Sequence, residues 1–136
     1  MMKKSEKVIG LALIVCDEVI EDKLTSKKSL IGMFNRITAI EFPCKHLGLH
    51  VFVSLTGGRG ERNVELRCVD QSNLKPLFGA KGKIKFINPN AIVEINFHLQ
   101  NAVFPKPGKY AFEFFCEDDW VLARPFIVVK QGDENE

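Results

Sequence analysis

The sequence predicts an all-β fold, an antiparallel domain of about seven to nine strands, on three observations. Apolar residues recur with a period of two in several segments, and clusters of Gly, Pro, Asn and Asp separate those segments. No segment sustains the 3.6-residue apolar stripe of an amphipathic helix.

From the N-terminus, Val8 to Cys16 is apolar on both faces, which marks a central strand. Asp17 to Lys27 offers only Val19, Ile20 and Leu24 to a helical face and reads as strand end plus loop. Ser29 to Phe34 and Ile37 to Phe42 are shorter strands, with a bend at Asn35-Arg36. In the next strand Leu47, Leu49, Val51, Val53 and Leu55 point to the core, and Gly48, His50, Phe52, Ser54 and Thr56 point away. Val64, Leu66 and Cys68 alternate with Glu65, Arg67 and Val69. Lys81, Lys83 and Lys85 alternate with Gly82, Ile84 and Phe86; lysines so placed protect an edge strand from pairing with another chain. Val93, Ile95, Phe97 and Leu99 form a further inward set. Pro125 interrupts the final strand, Val121 to Val129, and assigns it to an edge or a bulge. Turn residues stand at Gly57-Gly58, Asn73, Gly79, Asn88-Pro89-Asn90, Pro105 to Gly108 and Asp118-Asp119. Strands spaced this way build a sandwich or a barrel.

The stretch FPKPGKYAFEFF, residues 104–115, favours the sandwich. Its prolines cannot donate ladder hydrogen bonds, so they force a corner, after which Tyr110, Phe112, Phe114 and Cys116 share one face. A tyrosine there buries its ring and bonds its hydroxyl back to the loop, as in the tyrosine corner of Greek-key sandwiches. The antibody arrangement differs: Phe112 stands where it has a cysteine, and Trp120 follows the Asp118-Asp119 turn instead of lying in the core.

With 136 residues the chain fits one domain, expected to run from residue 8 to 130 between a flexible N-terminus (1–7) and a disordered acidic tail (131–136). Hydrophobic residues make up 46% and charged ones 26%, which supports a packed core. A net charge of +2, spread along the chain, argues against nucleic acid and membrane surfaces as partners. The apolar run after Lys3-Lys4 ends in Cys16-Asp17-Glu18 without a small-x-small cleavage pattern, so a cytoplasmic protein is expected. Cys16, Cys44, Cys68 and Cys116 form no CxxC or CxH pair and read as buried thiols, with a Cys68 to Cys116 disulfide as the alternative. His46, His50 and His98 are tied by no motif to a cysteine.

The segments LALIVCDEVIEDKLTSKKSLIGMFNRI, HLGLHVFVSLTGGRGERNVELRCVD and FPKPGKYAFEFFCEDDWVLARPFIVV together resemble a bacterial family of small domains of unknown function. The resemblance runs from about Gly10 to Val129 and implies an immunoglobulin-like sandwich with no assigned activity. It carries over no catalytic or binding residue and no cofactor.

Candidate sites are therefore read from residues alone. Asp17, Glu18, Glu21 and Asp22, with Glu117, Asp118 and Asp119, would hold calcium only if the two groups met at one end of the sandwich; solvated strand ends are the expectation. The loop TGGRGER, residues 56–62, lacks the Gly-Lys-Ser/Thr ending of a phosphate loop, and reads as a hairpin that leaves Arg59 and Arg62 as anion or carbohydrate contacts. No arrangement suited to acid-base or nucleophilic catalysis stands out. Phe52 and Phe115 fall out of phase with the core sets of their strands, and an interface would follow if they shared a face. The resulting expectation is a non-catalytic interaction module that binds itself or another protein, with small-ligand binding at loop 56–62 as the alternative.

Overall fold

The structure is a computed structural model that describes residues 7–133. The first six residues and the last three lie outside it, and with them most of the expected flexible N-terminus and half of the acidic tail. Among the described residues the chain forms nine strands: β1 (Ile9–Glu21), β2 (Lys28–Met33), β3 (Arg36–Ala39), β4 (Cys44–Thr56), β5 (Gly60–Asp70), β6 (Lys75–Phe86), β7 (Val93–Phe104), β8 (Gly108–Cys116) and β9 (Asp119–Lys130). They make two sheets, ordered β2-β1-β4-β7 and β3-β9-β8-β5-β6. The chain crosses between sheets after β2, β3, β4, β6 and β7, so neighbours in sequence often face each other across the core. All pairings are antiparallel except that of β3, which runs parallel to β9 from Arg36 opposite Ile127 to Ala39 opposite Lys130. No helix among the described residues is long and apolar enough to cross a membrane.

The alternation in sequence becomes two facing apolar layers. Val15, Leu49, Val51, Val53 and Leu55 of the first sheet are almost fully buried, as are Leu66, Cys68, Phe112, Phe114 and Val128 of the second. Aromatic rings fill the end near the proline corner. Phe112 stacks on Phe126 at 5.1 Å between centroids, and Phe104 meets Tyr110 edge to face at 5.3 Å. The Tyr110 hydroxyl donates to the Lys106 carbonyl at 2.5 Å, which closes the expected corner. Tyr110→Phe is expected to cost about 1 kcal/mol in denaturant unfolding, because one hydrogen bond is lost without a cavity.

Edges follow the sequence reading. β6 is the last strand of the second sheet, and its Lys81, Lys83 and Lys85 are exposed. Pro125 sits in the half of β9 whose only neighbour is β8, ahead of the stretch that pairs with β3. Leu47 departs from expectation. It is 77% exposed and not in the core, because β1 pairs with β4 only up to Cys16 opposite His50 and leaves that end of β4 flanked on one side.

What β1 does after Cys16 shapes the first sheet. Its last residues pair only with β2, and Asp22 closes the hairpin by accepting the amides of Leu24 and Thr25 at 2.8 and 2.9 Å. Lys28 then lies 2.6 Å from Glu94 of β7. Lys28 is the register partner of Glu21, whereas Glu94 belongs to the row of Ser54 and Ala12. In a flat sheet the residues from 12 to 21 would separate those rows by roughly 30 Å at ~3.3 Å per residue. The hairpin therefore leaves the sheet plane and turns over its outer face. Gly32, at φ 70°, allows the bend, since a Cβ there would stand 2.5 Å from the Asp17 carboxylate.

Candidate interaction face

The outer face of the second sheet brings together aromatic and charged side chains that the sequence keeps far apart. Glu65 of β5 is flanked by Lys81 of β6 on one side and by Phe115 of β8 on the other. Phe115 is in turn the register partner of Trp120 on β9, after a shift in pairing between Phe114 and Phe115. Phe115 is half-buried because the Arg67 guanidinium lies 4.2 Å from its ring centroid. Arg67 also pairs with Glu65 at 3.1 Å, and this hydrogen bond holds the Glu65 carboxyl below the usual carboxylate range. Trp120 is 58% exposed.

The β8–β9 turn fixes the rim of this face. Glu117 and Asp118 have φ of 50° and 72°, the left-handed pair of a two-residue hairpin turn. The Glu117 amide donates to the Asn63 carbonyl at 2.8 Å, and the Asn63 amide donates back to the Glu117 carboxylate. Between turn and sheet lies a shallow groove of about 280 Å³, lined by Asn63, Glu65, Lys81, Phe115, Glu117 and Asp118. An exposed indole beside an arginine-capped phenylalanine, with both signs of charge at the rim, suits a protein surface better than a small ligand.

Residues 11–129 match a family of unknown function, DUF6941. The chain belongs to that family. No curated protein matches it. Among solved structures it is similar to a β-glucosidase from Listeria innocua, in complex with isofagomine and with glucose, at 12% identity and a TM-score of 0.48 in both cases. The DUF6941 domain aligns over 91% of its own length but spans only 16% of the β-glucosidase chain.

Other residues singled out in sequence fall elsewhere in the DUF6941 domain. Phe52 belongs to β4 in the first sheet and Phe115 to β8 in the second, so the two share no face. Phe52 is also 8% exposed, not free: although it points outward with Ile14 and Asn96 as register partners, the β1–β2 hairpin turns over that face. Cys16 and Ser54 on the same face are buried too. Phe52→Ala is expected to lower unfolding free energy by about 2 to 3 kcal/mol, below the ~3–5 of a fully enclosed phenylalanine because a hairpin can settle into the gap. A free surface phenylalanine would leave the denaturation midpoint unchanged.

The Arg62 Nε–H donates to the Arg59 carbonyl at 3.1 Å, which turns that guanidinium back along its own loop. The acidic groups belong to different sheets. Asp17 to Asp22 follow the β1–β4 pairing, whereas Glu117 to Asp119 stand beside the start of β5. Among the described residues no group of three His, Cys, Asp or Glu side chains is placed to hold a metal ion. All four cysteines are free; Cys68 and Cys116 both face the core, but they are paired with Phe112 and Val64, four residues apart along the same two strands.

Sequence reasoning missed two arrangements. His50 and His98 are directly opposed on β4 and β7, with rings stacked at 4.3 Å, and His50 Nδ1 lies 3.0 Å from Asn96 Oδ1. Trp120 stood in the sequence only as the residue after a turn; its pairing with Phe115 depends on the two-residue hairpin, which Glu117-Asp118 signals weakly.

Proposed function

We propose that this DUF6941 domain is a protein-interaction module that docks through the outer face of its second sheet. The observation that carries the reading is Trp120, exposed beside Phe115 and the guanidinium of Arg67 on a rigid four-strand platform. Trp and Arg are among the side chains that dominate binding energy when an interface desolvates them; here Phe115 and Arg67 stand on strands paired on both sides, and Trp120 on the part of β9 paired with β8 alone. The strand connectivity supports an immunoglobulin-like assignment, since the third strand crosses to pair parallel with the last. Four unpaired cysteines suit a reducing compartment, and we place the protein in the cytoplasm.

In-cell photocrosslinking tests the reading. A photoreactive residue at position 120 is expected to give a discrete protein adduct, whereas one at position 24, exposed at the tip of the β1–β2 hairpin, is expected to give none. No adduct from position 120 would reject the face as a docking surface.

A further inference from the structure

The charges on the outer face divide by strand. Lys81, Lys83 and Lys85 line β6, and Lys83 and Lys85 make no ion pair among the described residues. Glu113, Glu117 and Asp118 lie on the opposite side, along β8 and its turn into β9. Both sets sit at one level of the sheet: Lys83 is the register partner of Asn63, whose carbonyl accepts the Glu117 amide. A two-fold axis parallel to the strands, between β5 and β8, would lay β6 of one copy across the β8–β9 hairpin of another with those levels matched. Such an arrangement is isologous, so every attraction occurs twice.

The area is adequate. Strands β6, β5, β8 and β9, at ~4.8 Å spacing and about nine residues of ~3.3 Å, present roughly 19 by 30 Å, on the order of 600 Å² before side-chain corrugation. Counted on both copies that is about 1,200 Å², the lower end of the range for stable interfaces. A positive strip on β6 and a negative strip on β8, with Phe115 and Trp120 on the acidic side, match a copy of themselves turned by about 180°, whereas a uniformly acidic or basic partner would meet repulsion along one strip.

We propose that the occupant of this face is a second copy of the chain, docked face to face, with Lys81 and Lys83 of each copy against Asp118 and Trp120 of the other. The inference rests on the reading of the outer face as the docking surface. Lys81 then gains the face of the partner's indole as well as its carboxylate, a contact that strengthens as water leaves.

Sedimentation of the purified chain tests it, at about 100 µM, a hundredfold above a ~1 µM dissociation constant. The expected species is a dimer of the 15.4 kDa chain. Lys81→Glu with Lys83→Glu on one chain, and Asp118→Lys on another, are each expected to sediment as monomers, and their equimolar mixture is expected to regain a dimer holding one chain of each kind. If the lysine variant does not fold at the positive φ of position 118, Asp118→Asn keeps that conformation and is expected to weaken the dimer about tenfold. A monomeric parent chain, or a mixture that stays monomeric, would overturn the proposal. Crosslinking from position 120 to a different protein, with the purified chain monomeric, would reject the second copy and leave the docking surface standing.

Discussion

Phe112→Ala is expected to remove about 3–5 kcal/mol of unfolding free energy, much of what a domain of this size has. Phe112 is fully buried, stacks on Phe126 at 5.1 Å and meets Phe78 edge-on at 6.2 Å. Its partners cannot follow it into the gap. Phe126 also packs against Phe104 and Tyr110, and Tyr110 is anchored to Lys106, so the cluster is held from three elements at once. The cavity therefore stays open and its full cost is felt. Chemical denaturation monitored by Trp120 fluorescence measures the change, and a loss below about 1 kcal/mol would mean that the core can collapse in a way this packing excludes. Phe112→Leu, which keeps most of the volume, should recover more than half of the loss.

The second large effect is alkaline. Burial first, and then the Asp70 charge, pushes the Cys68 thiol up to about 12. An unfolded cysteine titrates near 8.5, so below that pH the thiol is protonated in both states and the fold keeps its full stability. As the pH rises from about 8.5 towards 12, the unfolded chain gains the thiolate and the folded chain does not. Stability then falls by ~1.4 kcal/mol for each pH unit, reaching several kcal/mol at the top of the window. Burial raises the thiols of Cys16, Cys44 and Cys116 as well, in the same direction. Cys68→Ala should flatten the slope of unfolding free energy against pH between 9 and 11; an unchanged slope would assign the alkaline loss to other groups.

How much of this was legible in the sequence depends on whether a residue's surroundings are set by its own strand. Leu49, Val51, Val53 and Leu55 were readable because a strand packed on one face imposes a period of two. The tyrosine corner was readable because proline chemistry and the hydroxyl's partner lie within four residues. Leu47 continues the same alternation, yet its burial depends on where β1 leaves β4, which no local feature encodes. Phe52 looked exposed for the same reason: its cover is a hairpin that turns over a sheet three strands wide and closes on Glu94, sixty-six residues from Lys28. The docking face was half legible. Phe115 stood out by phase and Lys81, Lys83 and Lys85 by spacing, but Trp120 acquires its place only through a turn whose handedness depends on two non-glycine residues at positive φ.

The parallel pairing of β3 with β9 has a mechanical consequence. These strands lie towards opposite ends of the chain and point the same way, so tension applied at the two termini drags them in opposite senses along their common axis. The four rungs between Arg36 and Ala39 would then resist together, in shear, where an antiparallel hairpin opens one rung at a time like a zipper. A single-molecule pulling trace should show one abrupt rupture, and replacing Ala39 by proline, which takes out a rung donor on the side where the Ala39 carbonyl accepts the Gln131 amide, should lower the force at which it occurs.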